Sequence, residues 1–532
     1  MTKKSFMQGA VILGIAGLFI KLLGAFFRIP LVNMIGTEAM SYYQSAYPVY
    51  VFFLTLATAG IPIAISKMVS ERIATDRYYE ANRVYRISFV LLLIIGIASS
   101  SICFFGAGWI TRLMRIPEAV YSMKAIAPAL LFVPLMASFR GYFQGMQDMK
   151  PTAVSQTVEQ LFRVVCGLFL AYYLTRVSLE YAAAGAAFGA TAGAVMGLLA
   201  TVIVYLYKRG GLQANIKRTK RPKEENASSI LAKIIIIAVP ITVGASIMPI
   251  MNGIDAMMVI RVLTDTGWTY NAAKDMYGQL TAMVGSLINF PQVLTQAVSM
   301  SLVPAISIAF RQRDMAFVKD NVKLGLRTAL IIGFPCAFGF MTIAEPILLM
   351  IYPLQKASAM SAASCLVILG AGVIFLSTVQ TLTGVLQGIG KQMIPVRNLA
   401  IGAVAKVALS YYLVSIPGID VKGAAVGTVT AYIIASTLNL IAVKRYTGVK
   451  FDFILTYVKP LVSALAMAAI VWVSQRLFSA FVGNAVGTLL SIMIGALVYG
   501  YMLFLVKAIT KEEVARLPRG NKIVKIMNKF VK

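Results

Sequence analysis

The chain has 532 residues, 59% of them hydrophobic and only 13% charged, with a mean hydropathy of +0.80 and a formal net charge of +29. Soluble domains carry about 25% charged residues, so this composition needs lipid and leaves no sizeable soluble domain. Histidine is absent, which excludes a Ser-His-Asp or Cys-His nucleophile, a histidine metal site and a histidine proton switch.

Apolar runs of 18 residues or more recur along the whole length, each able to span a bilayer core. They predict an all-α polytopic membrane protein of about fourteen transmembrane helices. The first, near 8–33, follows Lys3 and Lys4 and is retained rather than cleaved as a signal peptide. It carries Lys21 near mid-depth and Arg28 seven residues on, hence on one face. An outer turn with Glu38 leads to a second helix near 42–68, with an aromatic mouth (Tyr42, Tyr43, Tyr47, Tyr50) and Pro48 and Pro62 inside. Helices three and four, near 85–108 and 121–146, are joined by a loop holding Arg112 and Arg115. Helix five begins after Pro151 and carries Glu159 and Arg163; helix six runs near 181–207. Helix seven, near 230–262, contains Pro240, Pro249 and Asp255 and is long enough to bend or break. Helix eight is expected near 275–309 and helices nine to twelve near 323–350, 358–388, 394–415 and 420–443, with Lys406 at mid-depth of the eleventh. Helices thirteen and fourteen, near 453–478 and 482–508, precede a basic tail whose spacing suits a short interfacial helix.

The stretch from Arg140 to Arg163, RGYFQGMQDMKPTAVSQTVEQLFR, has an echo about 243 residues later. Gly141-x-x-Gln144-Gly145 with Met149 and Pro151 returns as Gly384-x-x-Gln387-Gly388 with Met393 and Pro395. Tyr172-Tyr173-Leu174 returns as Tyr411-Tyr412-Leu413, the glycines from Gly185 return from Gly423, and Ile61-Pro62 has a weaker partner in Val303-Pro304. A period this long fits the internal duplication of a two-lobed transporter. The expected organisation is a six-helix lobe over 1–208, a basic linker over 209–229, a second six-helix lobe over 230–445, two added helices over 446–508 and the tail over 509–532.

Seven Lys/Arg lie between Lys208 and Lys223 and eight from Lys507 to Lys532, with smaller clusters at every second loop. This is the positive-inside pattern and predicts both termini on the cytoplasmic side. Because the clusters flank spans rather than forming one face, anionic lipid headgroups are the expected partners and nucleic acid is not. Cys103, Cys166, Cys336 and Cys365 are dispersed within apolar runs and read as small core residues. No GxxxxGK[ST] run is present, so an ion gradient, the membrane potential or the substrate gradient would have to drive transport. Neither a cofactor nor a metal is expected, and the chain reads as a transporter rather than an enzyme.

A charge in the membrane interior costs at least ~2.5–3.5 kcal/mol on insertion scales and normally faces a cavity or a partner. Lys21 and Arg28 either pair with another helix or line a cavity for an anionic substrate; same-face cations without a local carboxylate favour the second. Glu159 and Arg163, at i,i+4, can brace each other or contact substrate. Asp255 suits a coupling cation, a substrate contact or a pairing with Lys21 or Arg28. Lys406 suits an acid partner or an anionic group, and Arg140 an anchor near the inner surface.

The RGYFQG…M-x-P-T-A…SQ…EQ…R stretch, the Lys21-Leu22-Leu23-Gly24…Arg28 segment and Pro62-x-Ala64-Ile65-Ser66-Lys67 resemble the SpoVB/MurJ branch of the multidrug/oligosaccharidyl-lipid/polysaccharide (MOP) exporter superfamily. The resemblance covers essentially the whole chain. It implies a fourteen-helix flippase of the bacterial cytoplasmic membrane that moves an undecaprenyl-pyrophosphate-linked saccharide, typically lipid II, by alternating access. Lys21 and Arg28 match the family's cavity cations that meet the pyrophosphate. Cell-wall or sporulation machinery is the implied protein partner. Other lipid-linked glycans (teichoic acid, capsule, spore wall) are the alternative cargo; a cation-coupled multidrug antiporter and a non-transporting membrane partner are the competing classes.

Overall fold

A single glycine replaces the first expected turn. In the computed structural model, which describes residues 3–218 and 225–509, helix α1 runs from Lys3 to Thr58 and departs from helical geometry only at Gly36, with φ 76° and ψ 174°. That conformation is open to glycine and disfavoured for residues bearing a Cβ. On either side of Gly36 lie more residues than the ~20 needed to cross a bilayer, so one continuous stretch supplies two passes. The second expected helix, near 42–68, is instead interrupted at Gly60, after which α2 (Ile61–Ile73) starts with Pro62 in its first turn, where its missing N–H costs nothing.

The remaining helices follow in order: α3 (Tyr78–Phe105), α4 (Ala107–Leu113), α5 (Val120–Ile126), α6 (Ala129–Gly145), α7 (Lys150–Leu174), α8 (Leu179–Arg218), α9 (Ala227–Asp265) and α10 (Tyr270–Gly278). A π-helical turn, Gln279–Val284, leads into α11 (Gly285–Arg311). Then come α12 (Met315–Thr342), α13 (Ala344–Ile351), α14 (Lys356–Gly388), α15 (Met393–Val414), α16 (Lys422–Thr447), α17 (Lys459–Val482) and α18 (Asn484–Leu505). No strand occurs among the described residues. Among the described residues thirteen stretches are long and apolar enough to cross a membrane, and the first, Phe26–Ile73, contains the Gly36 break. The chain is a multi-pass integral membrane protein of about fourteen helices. Most of the basic run Lys217–Lys223 and the proposed interfacial helix of the tail lie outside the described residues.

The chain forms two compact units, Met1–Ala282 and Met283–Lys532, and the π-helical turn straddles their boundary. In the first unit, α9 packs with α1 and α2 so closely that a Cβ on Gly60 would collide with the Ala238 backbone. Its core joins Ile61, Ile65, Tyr85, Phe139, Tyr142 and Ile234, with the Tyr85 and Tyr142 rings stacked at 4.7 Å. In the second unit, α18 is tied to α12 by the Tyr499 hydroxyl donating to the Ile331 carbonyl at 2.8 Å.

The duplication is built into the packing. A Cβ on Gly141 would lie 2.9 Å from the Pro62 carbonyl, and one on Gly145 would lie 2.7 Å from the Val69 Cβ, so both glycines seat α6 on α2. Gly384 and Gly388 do the same for α14 on the Ser299–Ile306 stretch of α11, with 3.0 Å from Gly388 to the Ile306 Cβ. The next helix pair repeats too: Gly189 of α8 lies against the Arg163 carbonyl of α7, and Gly427 of α16 lies against the Lys406 carbonyl of α15. Small residues thus let backbones approach where lipid offers no hydrophobic drive.

Candidate functional site

The charged residues of α1 and α7 meet along one helix contact. A Cβ on Gly24 would lie 3.7 Å from the Gln160 amide, and one on Gly167 would lie 2.9 Å from the Phe27 ring. This register brings Arg28 and Arg163 to the same tyrosine cluster. The Arg163 guanidinium lies over the Tyr47 ring at 5.3 Å and donates a long hydrogen bond, 3.4 Å, to the Tyr43 hydroxyl. Tyr43 and Tyr47 stack at 5.6 Å, Tyr50 follows at 5.8 Å from Tyr47, and Phe27 packs edge-on against Tyr43. Arg28 is partly exposed and close enough for its charge to act on Tyr47. The Arg163 guanidinium over an aromatic face gains cation–π stabilisation and keeps donors for an anion. The side chain of Lys21, seven residues before Arg28, lies outside the described residues.

Glu159 does not brace Arg163, as their spacing suggested. Its carboxylate takes Arg140 of α6 instead, at 2.8 Å, while the Arg140 Nε donates to the Ser155 hydroxyl at 2.9 Å. Both side chains are mostly buried, at 12% and 22% exposure. Arg140 is therefore an ion-pair partner between α6 and α7 rather than a surface anchor. Of the two arginines within reach of this carboxylate, the one from the neighbouring helix takes it, so tertiary proximity overrides sequence spacing.

Asp255 is partly buried on α9, near enough to Tyr277 of α10 for its charge to bear on that phenol. Gly253, two residues earlier, faces Pro48 of α1. Lys406 is buried on α15 in the second unit, beside α16. On α15 and α16, Asn398 donates to Asn439 at 2.9 Å.

A second polar centre was not legible from spacing. Lys274, 2% exposed, lies 3.1 Å from Glu38 and 3.3 Å from Glu118 and points at the Tyr42 and Tyr270 rings, 5.0 and 4.5 Å away. The Tyr42 hydroxyl donates to Glu38 at 3.0 Å and the Tyr270 hydroxyl to Glu118 at 2.8 Å. Next to it the Thr37 hydroxyl donates to Asp275, which also accepts from the Gln279 amide at 2.7 Å. Arg115, in the loop before α5, pairs with Asp265 at 3.0 Å. Together these contacts bind the α9–α10 hairpin to the Gly36 kink and to the turn before α5. The signals were Glu38/Tyr42 and Tyr270/Lys274, both at i,i+4.

At the other end of α2, Arg72 is buried and pairs with Glu225 at 2.7 Å and with Glu80 at 3.6 Å. Lys233 and the Ser229 hydroxyl complete the Glu225 shell. The Lys233 ammonium first, then Ser229 and Arg72, hold the Glu225 carboxyl down at about 2 against an ordinary 4.5.

The sequence profile of the polysaccharide biosynthesis protein family matches residues 6–310. The Bacillus subtilis stage V sporulation protein B is 26% identical over 97% of this chain and 98% of its own length. The Bacillus subtilis lipid II flippase MurJ is 27% identical over 88% of each chain. A solved structure of lipid II flippase MurJ in an inward closed conformation superposes with a TM-score of 0.70 at 17% identity, over 93% of this chain and 98% of that one. The profile match covers more than half of the chain and the solved structure shares its fold: the chain belongs to the polysaccharide biosynthesis protein family.

Proposed function

We propose that the protein flips an undecaprenyl-pyrophosphate-linked saccharide, lipid II in the first place, across the cytoplasmic membrane by alternating access. The observation that carries this reading is the meeting of Arg28 and Arg163 on one tyrosine cluster within the membrane-spanning helices. A pyrophosphate needs several N–H donors and two or more positive charges to leave water. Arg28 and Arg163 supply forked donors, and Lys21, seven residues before Arg28 in the sequence, adds a point charge. Lys406 offers a further cation in the second unit, and Asp255 serves as a gating or coupling carboxylate. Both termini face the cytoplasm, and anionic headgroups hold the basic loops there. Because pyrophosphate is common to all undecaprenyl-linked glycans, the stage V sporulation protein B likeness supports a spore-wall precursor as the second reading.

The test is complementation. A bacterium depleted of its own lipid II flippase expresses this protein at verified membrane levels, and growth and lipid II exposed on the outer leaflet are followed together. Rescue of both is expected. Failure of both with well-inserted protein contradicts lipid II as cargo and moves the assignment to the spore-wall reading.

A further inference from the structure

The two halves of the duplication differ at the Arg140–Glu159 pair. Gly189 touches the Arg163 carbonyl at 2.5 Å and Gly427 touches the Lys406 carbonyl at 3.1 Å, so Lys406 occupies in the second unit the place of Arg163 in the first. One turn earlier the register holds: Gly193 lies against the Glu159 carbonyl, and Ala431, its counterpart in α16, lies against Gly402. Two turns past Arg163 it holds again, Gly185 against Leu170 and Gly423 against Leu413, a register four residues out of step with the Tyr172/Tyr411 echo in the sequence. Glu159 therefore corresponds to Gly402, and by the Gly141/Gly384 motif Arg140 corresponds to Thr383. The cation is kept in both units. The carboxylate and Arg140 occur together in one unit and are replaced together in the other.

We infer that Arg140 is a positioning residue, whose role is to occupy Glu159 so that Arg163 keeps its charge and its donors for the anionic substrate. The inference rests on the reading of Arg163 as a substrate contact. Glu159 stands four residues N-terminal to Arg163, the favourable order for an i,i+4 ion pair. Without a competitor it would turn to Arg163, neutralise it and occupy its donors. Arg140 prevents this from the neighbouring helix with a 2.8 Å contact, and its Nε bond to Ser155 fixes the direction of approach. Arg163 is then left to Tyr43 and Tyr47, both weakly held partners that a phosphate oxygen can displace.

The experiment compares Arg140→Met, Glu159→Gln, the double variant and Arg163→Gln, each as purified full-length protein. Two readouts are taken: binding of inorganic pyrophosphate, followed by tyrosine fluorescence, and flipping of an undecaprenyl-pyrophosphate saccharide in proteoliposomes. Arg140→Met lowers both by about tenfold, and adding Glu159→Gln restores both to within about threefold of the parent, because no carboxylate is left to neutralise Arg163. A brace between α6 and α7 predicts the reverse, with the double variant no better than Arg140→Met; that result overturns the inference. Arg140→Lys, which keeps a charge against Glu159, stays within about threefold of the parent and replaces Arg140→Met if that variant does not accumulate; a loss as large as for Arg163→Gln overturns the inference by the same logic. If Arg163→Gln binds and flips like the parent, the substrate site itself is misplaced and the role of Arg140 falls with it. If Arg163→Gln is impaired and the double variant is not restored, only the role of Arg140 falls.

Discussion

Lys274 and Glu118, 156 positions apart, face each other at 3.3 Å with the lysine almost wholly buried. Removing one member of such a pair leaves uncompensated charge, worth about 3–5 kcal/mol in a full interior and less here, because Glu38 and Glu118 keep partial contact with solvent. Lys274→Met is expected to lower the thermal unfolding temperature of the detergent-solubilised protein and to free α10 from α1. A cysteine at Gln44, whose amide donates to the Thr281 carbonyl beneath the centre, then reacts with an impermeant thiol reagent applied to intact cells. Unchanged labelling and unchanged melting would remove Lys274 from any role in closing that end.

The approach of α10 to the Gly36 kink leaves no room for a side chain at Gly278, where a Cβ would collide with the Thr37 carbonyl. Gly278→Ala is expected to destabilise by about 1–3 kcal/mol, the usual cost of overpacking. Gly339→Ala and Gly500→Ala, in open space within α12 and α18, are expected to be neutral or stabilising by up to about 1 kcal/mol from helix propensity. Melting temperatures of the three variants measured together decide the point.

Acid should loosen the end of α9. With the Glu225 carboxyl at about 2 in the folded protein and 4.5 ordinarily, its pairing contributes fully above pH 4.5 and is lost as pH falls through 2. Amide exchange at Ala227–Lys233 is expected to quicken across that window, and in Glu225→Gln to be fast and flat with pH. A steep response surviving in Glu225→Gln would assign the transition to another group.

Membrane class, helix number and duplication were legible because each rests on composition or on long-period repetition. The glycine motif was legible as a pattern, and packing gives its reason, the seating of α6 on α2 and of α14 on α11. Partner choice was not legible. Spacing places Glu159 and Arg163 on one face of α7, yet only the fold shows that Arg140 reaches the carboxylate. Lys274 and Glu118 lay at the edges of predicted spans, where a charge ordinarily meets water, and their burial depends on a hairpin returning from more than a hundred residues away. The turn expected after helix one was reduced to Gly36 because one residue at positive φ suffices to redirect a helix.

The central claim is that Arg28 and Arg163 receive the pyrophosphate of a lipid-linked saccharide. Its most direct test is the flipping rate of an undecaprenyl-pyrophosphate saccharide in proteoliposomes holding the parent or Arg163→Glu, each shown to be folded by its melting temperature. The account predicts flipping by the parent and a loss of about a hundredfold or more in Arg163→Glu, since a carboxylate there repels the pyrophosphate it should receive. Flipping by Arg163→Glu at the parent's rate would contradict it.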